Sequence, residues 1–336
     1  MRSFTLPDGL EATAPPTVRD GIRLLVAHAG GIEHARFAEL ASFLSAGDLL
    51  VVNTSGTLPA AIDGDRGDGL RVTVHFSTAL DDGSWVVEVR PRGDAAGPIG
   101  DSRPGDVITL PDGIRAVLVA PHPIGQQRLW QVAVGVEGGV PAYLARHGRP
   151  IRYAYLPAPV PLTEYQTVFA REPGSAEMPS AGRPFTAHLV TELVSRGIVV
   201  APVQLHTGVS SQEPGEPPQP ERYRVPESTA RLVNLTRAWG GRVVAVGTTV
   251  TRALESAADD AAVVRERAAW TDLVLGPDRP ARVVGGLITG WHAPGASHLQ
   301  LLEAVAGADL VDRAYAEAVR ARYLWHEFGD SCLLLP

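Results

Sequence analysis

Lysine is absent from this chain of 336 residues, and all 30 basic residues are arginine. The formal charge is −7, so no general positive field exists to gather a polyanion, and any nucleic-acid contact has to come from a local arginine patch. Cysteine occurs once, as Cys332 in the terminal run SCLLLP. That excludes a disulfide framework and a cysteine zinc cluster, and leaves core packing as its expected role. No apolar run approaches the roughly 20 residues needed to span a bilayer, and the opening MRSFTLPDGLEATAPP lacks an apolar signal core. A cytoplasmic protein with no membrane partner is expected. The chain also lacks a G-x-G-x-x-G turn after a strand, a G-x-x-x-x-G-K-[ST] loop, a G-x-S-x-G elbow and His-x-x-x-His spacing. Ordinary NAD, P-loop and hydrolase chemistry is therefore disfavoured, and no metal is expected.

What is present is an α/β pattern interrupted by an all-β one. Hydrophobic residues make up 45% and charged residues 20%, enough to bury one large core or two moderate ones. The runs RLLVAH and GDLLVVN read as short strands flanking an amphipathic helix, HARFAELASFL. From about Arg71 the period changes to two in RVTVHFS, SWVVEVRP, DVITLP, IRAVLVA and RLWQVAV, separated by Gly, Asp and Pro clusters. This predicts a small β-barrel over 66–137 inserted into an α/β domain formed by 1–65 and 138–336. Helices are predicted near PAYLARHG, at Thr186–Arg196 and at Glu227–Trp239, and strands at GIVVAPVQL, Val243–Gly247, Asp272–Leu275 and Arg282–Thr289. The polar, proline-rich stretch from Leu205 to Pro226 reads as a long loop.

The most informative segment is RVVAVGTTVTRALES, residues 242–256. An apolar strand there runs through Gly247-Thr248-Thr249 into a helix, which points backbone N–H groups and two hydroxyls out of a sheet end where an anionic or polar ligand can sit. Glu172-Pro173-Gly174-Ser175 and Ser180-Ala181-Gly182 read as small-residue turns, with Tyr165-Gln166-Thr167 just upstream. Leu205-His206-Thr207-Gly208 puts a histidine at a strand end. LITGWHAPGASHLQLL follows the same logic, with Trp291 and His292 in the loop and Ser297 as the expected helix cap. Trp291 either stacks on a heterocycle or closes the core. Arg252 and Glu255, three apart on one helix face, read as a surface ion pair, and Asp272 and Asp330 as caps or turn formers.

Taken in order, GDLLVVNTSGTLPAAI, YQTVFAREPGSAEMPSAGRPFT, LHTG, GGRVVAVGTTVTRALES, WTDL, LITGWHAPGASHLQLL and FGDSCLLL resemble the bacterial S-adenosylmethionine:tRNA ribosyltransferase-isomerase family of queuosine biosynthesis. The resemblance covers essentially the whole chain. It implies transfer and isomerisation of the ribosyl moiety of S-adenosylmethionine onto 7-aminomethyl-7-deazaguanine in tRNA, with adenine and methionine released. S-adenosylmethionine is then a substrate, and no permanently bound cofactor is implied. The resemblance makes His206, His292, Glu172, Asp272 and Asp330 the candidate acid–base groups. The candidate substrate-binding set is Asn53, Tyr165, Gln166, Thr167, Ser180, Ala181, Gly182, Phe185, Thr207, Gly208, Gly247, Thr248, Thr249, Arg252 and Trp291. Gly56, Ala61, Pro184 and Gln219 stand where the family usually has Arg, Arg, His and His. Such groups hold RNA phosphates or a modified base, so the departures predict that S-adenosylmethionine chemistry survives while use of tRNA weakens. The tRNA reaction is the leading reading. The alternatives are a relative acting on a small-molecule acceptor and a non-catalytic binding protein.

Overall fold

The computed structural model describes residues 4–93, 97–209 and 219–336. The chain opens with β1 (Arg23–His28), β2 (Gly31–Arg36), β3 (Leu49–Asn53) and the short β4 (Ser55–Thr57). Six strands then close a barrel: β5 (Ala61–Arg66), β6 (Arg71–Ala79), β7 (Trp85–Pro91), β8 (Val107–Thr109), β9 (Arg115–Pro121) and β10 (Leu129–Val134). After α1 (Gly139–His147) come β11 (Glu172–Ser175), α2 (Ala187–Ser195), β12 (Val199–Leu205), β13 (Glu221–Val225), α3 (Glu227–Ala238) and β14 (Val243–Val246). The chain ends with α4 (Thr248–Ala257), β15 (Arg267–Thr271), β16 (Gly286–Gly290), α5 (His298–Ala306), α6 (Ala308–Arg320) and β17 (Ser331–Leu335).

Nine strands form one mixed sheet in the order β15-β13-β12-β3-β14-β16-β17-β1-β2. Its centre, β12, β3, β14 and β16, is parallel, so Leu205, Asn53, Val246 and Gly290 all finish at the same edge. Buried on both faces, these strands are continuous apolar runs such as the fully buried LLVVN of β3. One face packs on Val250, Ala253, Leu254 and the helices α3, α5 and α6, while the other covers Phe37, Phe185 and Leu189. The barrel has its own core around Val72, Val74, Phe76 and Trp130. The mixed α/β sheet with an inserted β-barrel is thus observed, and the five predicted barrel strands are joined by a sixth, β5, drawn from the segment assigned to the α/β domain. Among the described residues no helix is long and apolar enough to cross a membrane.

Several local expectations are corrected. The predicted helix HARFAELASFL is split, because His34 and its neighbours pair with β1 as an edge strand and Phe37–Ser42 forms a 3-10 run. Its buried Phe37, Leu40 and Ala41 mimic helical spacing. Glu172–Ser175 is a strand paired in parallel with β4 rather than a turn. Within the predicted loop, Glu221–Val225 is a strand bonded to β12 and β15. The loop's residues 210–218, which include Glu216-Pro217-Pro218, lie outside the described residues. Asp272–Leu275 is not a strand: β15 ends at Thr271, and the Leu273 carbonyl turns to the Arg252 guanidinium. β16 starts at Gly286 rather than Arg282, because the N–H groups of Arg282, Val283 and Val284 all donate to the Glu255 carboxylate. Glu255 and Arg252 are therefore buried and face separate partners instead of forming a surface pair. Ser297 occupies the cap position of α5 with αR backbone and makes no capping side-chain bond.

Candidate functional site

The carboxyl edge of the parallel strands opens into a cavity of about 200 Å³. This is where open α/β sheets place their ligands, since loops diverge there and helix N-termini converge. Gly247 initiates α4 with φ of 97°, a left-handed-side conformation that favours glycine, and a Cβ there would come within 3.3 Å of the Ala181 Cβ. Thr248 and Thr249 follow on the cavity wall, so the first turn of α4 supplies N–H groups and hydroxyls together. Opposite stand Ser180 and Ala181 from a 3-10 turn, and Thr207 and Gly208 from the end of β12.

His292 and His298 line this cavity, His206 lies beside Thr207 behind its wall, and burial lowers the pKa of each imidazole. His292 accepts or donates at Nε2 with the Thr289 hydroxyl at 3.0 Å and lies parallel to His298, with ring centroids 4.5 Å apart. Burial, with His298 and His326 adding to it, holds His292 well below the ordinary imidazole value. Burial and the nearby Arg252 push His298 down to about 4. His206 lies against Gly174, and its Nδ1 is 2.7 Å from the Ser55 hydroxyl, which is itself 2.6 Å from the Ser175 hydroxyl. Thr207 N–H donates to the Ser175 oxygen at 3.0 Å, which closes a four-residue chain of hydrogen bonds. Burial lowers the His206 value as well, opposed by the charge of Glu172.

Acidic groups supply the opposite polarity. Glu177, Glu221 and Glu327 all reach the cavity wall. Glu221 is paired with Arg252 and accepts the Gly208 N–H at 3.2 Å. Burial raises its pKa, with the Arg252 charge opposing. Arg252 also donates to the carbonyls of Thr271 and Leu273, so its guanidinium is fixed. Tyr155 donates its hydroxyl to Glu327 and stacks on His326 at 4.6 Å, which orients that carboxylate.

Of the residues singled out from sequence, Ser180, Ala181, Thr207, Gly208, Gly247, Thr248, Thr249, Arg252 and His292 are brought together on the cavity wall. Asn53 stands behind it, donating to the Leu205 carbonyl at 2.8 Å and reaching the Thr249 hydroxyl at 3.4 Å. Gly182 lets the chain pass close to Thr167, whose hydroxyl accepts the Phe169 N–H. Gln166 bonds both backbone groups of Thr57, and Tyr165 packs on Phe328, so both brace the β4 and β11 pair. Phe185 is wedged between Phe37 and Phe169. Trp291 lies in the core among Tyr315, Tyr323 and Trp325 rather than on the wall. Glu172 is exposed and accepts from Gln204. Asp272 is exposed as well. Asp330 is buried, accepts N–H bonds from Arg23 and Leu324 and so ties β17 to β1, with burial raising its pKa. Sequence reasoning missed His298, Glu177 and Glu327. Only the His292 and His298 pair, flanking one loop before a helix, carried any local signal.

The strand-edge cavity thus brings together a helix N-terminus, buried histidines and carboxylates at the place where α/β proteins bind their ligands. The family profile described as queuosine biosynthesis protein matches residues 2–334. The S-adenosylmethionine:tRNA ribosyltransferase-isomerase of Symbiobacterium thermophilum is 37% identical over 99% of this chain and 98% of its own. The enzyme of the same name from Thermotoga maritima is 34% identical over the same shares. A crystal structure of S-adenosylmethionine tRNA ribosyltransferase from Thermotoga maritima superposes with a TM-score of 0.55 at 29% identity, covering 99% of each chain. This chain belongs to the S-adenosylmethionine:tRNA ribosyltransferase-isomerase family.

Proposed function

We propose that the protein is a cytoplasmic enzyme that moves and isomerises the ribosyl group of S-adenosylmethionine onto 7-aminomethyl-7-deazaguanine in tRNA, releasing adenine and methionine. The observation that carries this reading is full-length family membership together with the polar cavity at the strand edge. The first turn of α4 and the Ser180, Thr248 and Thr249 hydroxyls suit the donor's carboxylate and ribose, and the carboxylates of Glu177 and Glu327 suit its ammonium and sulfonium. The sulfonium acidifies the adjacent ribose carbon. An imidazole can take that proton, from His292 on the cavity wall or from His206 behind it, and the departing adenine must gain one. No permanently bound cofactor is needed.

The departures at Gly56 and Ala61 count less against tRNA once they are located. Gly56 sits in the packed β4 and β11 pair, and Ala61 is buried at the base of the barrel. Neither faces outward toward a phosphate. A small-molecule acceptor remains the competing reading. Incubation with S-adenosylmethionine and tRNA carrying the aminomethyl base, followed by nucleoside mass analysis, decides between them. Turnover confined to a free base supports the small-molecule reading.

A further inference from the structure

A second recess of about 150 Å³ lies between the barrel and the sheet edge formed by β13 and β15. We propose that it holds the nucleobase of the acceptor nucleotide while the first cavity holds the ribosyl donor; this rests on the reaction proposed above.

The wall chemistry selects a base over a phosphate or a carboxylate. Leu80, Val86, Leu129 and Trp270 dominate it, and among the described residues its lining holds no arginine and one imidazole, His122. Trp270 is held in one orientation: its indole N–H donates to Asp81 at 2.9 Å, and the Arg222 guanidinium lies 5.3 Å from its ring centroid while pairing with Asp81. A fixed indole at the wall of an apolar recess is a stacking platform, the device by which unstacked bases are held.

Gln219 connects the two recesses, since it lines both. Its Oε1 is buried and has no hydrogen-bond partner among the described residues. A buried acceptor of that kind calls for a donor, and the Watson–Crick edge of a guanine-type base presents a ring N–H and an exocyclic amine. The spacing of the recesses is fixed by the joint beside them. A Cβ on Gly208 would lie 2.8 Å from the Ser77 hydroxyl oxygen, and the Val209 N–H donates to that oxygen at 3.0 Å. The barrel is therefore locked to the wall of the donor cavity. A base enters such a recess only after leaving its stack, so the acceptor nucleotide is taken flipped out.

The test compares binding of two anticodon stem-loop RNAs, one with the aminomethyl-deazaguanine and one abasic at that position. Full-length wild type, Trp270→Ala, Trp270→Phe and Gln219→Leu are measured against both. Wild type is expected to prefer the base-bearing RNA by about tenfold. Trp270→Ala should abolish the preference, Trp270→Phe should keep most of it, and Gln219→Leu should reduce it. In the two Trp270 variants, which do not touch the donor cavity, affinity for S-adenosylmethionine should stay within about twofold, on the order of measurement error in free energy. Absence of a base preference in wild type, an undiminished preference in folded Trp270→Ala and Gln219→Leu, or loss of S-adenosylmethionine affinity in the Trp270 variants overturns the proposal. Parallel turnover assays keep the two readings apart. An inactive wild type refutes the reaction, whereas an active wild type with an unchanged tRNA KM in the variants refutes only the base site.

Discussion

Replacing Gly174 by alanine should displace His206 without altering any group that titrates. Gly174 lies in β11, and the nearest neighbours of a Cβ there are the His206 ring atoms Nδ1 at 2.3 Å, Cε1 at 2.4 Å and Cγ at 2.7 Å. The glycine backbone does not have positive φ, so alanine meets no conformational penalty and the effect is steric. To reach ordinary contact the imidazole must retreat by roughly 1 Å, and its 2.7 Å bond to the Ser55 hydroxyl then breaks. Overpacking of this kind costs about 1–3 kcal/mol, and the lost hydrogen bond about 1 kcal/mol more. Thermal denaturation should show a drop of several degrees, and misplacing a reactive group by about 1 Å can cost on the order of a hundredfold in kcat. The double variant Gly174→Ala with His206→Ala removes the clash, so it should be more stable than the sum of the single effects. Wild-type turnover and melting temperature in Gly174→Ala would refute the reasoning, and strict additivity in the double variant would refute the steric cause.

Three further outcomes are expected. Thr249→Val should weaken S-adenosylmethionine binding by about 1–2 kcal/mol in calorimetry, because it removes one hydroxyl from the cavity wall and keeps the shape; unchanged affinity would remove Thr249 from the site. Glu255→Ala leaves the N–H groups of Arg282, Val283 and Val284 without their shared acceptor, so chemical denaturation should show a loss of at least ~3 kcal/mol while the KM values of any retained activity stay put. His298 is pushed down to about 4 from 6.5, so below pH 6.5 the unfolded chain takes up a proton that the native state refuses, and stability is lost as pH falls toward 4. The slope of melting temperature against pH between those values should flatten in His298→Gln, and an unchanged slope would contradict the assignment.

Periodicity made the architecture legible, because parallel central strands are unbroken apolar runs and barrel strands alternate. It failed where a side chain replaced a ladder partner. Glu255 takes the N–H groups of Arg282 to Val284 and shortens β16, and nothing local in TRALESAA or DRPARVV announces that bond. The same limit applied at the site. The Gly247-Thr248-Thr249 junction and the strand-end position of His206 were readable because strand, glycine and helix are contiguous. Trp291 and Tyr165 had the right chemistry for a ligand, yet burial among Tyr315, Trp325 and Phe328 turned them to packing. Glu177, His298 and Glu327 come from three distant segments, and only the closing of the sheet edge brings them to one cavity.

The central claim is that the strand-edge cavity handles the ribosyl part of S-adenosylmethionine rather than its methyl group. The direct measurement incubates the protein and tRNA carrying the aminomethyl base with S-adenosylmethionine labelled in the ribose or in the methyl group, and counts label in the purified tRNA. Ribose label should enter the tRNA one for one with adenine released, while the methyl label leaves with methionine. Methyl label in the tRNA, or release of adenine with no label transferred, would contradict the account.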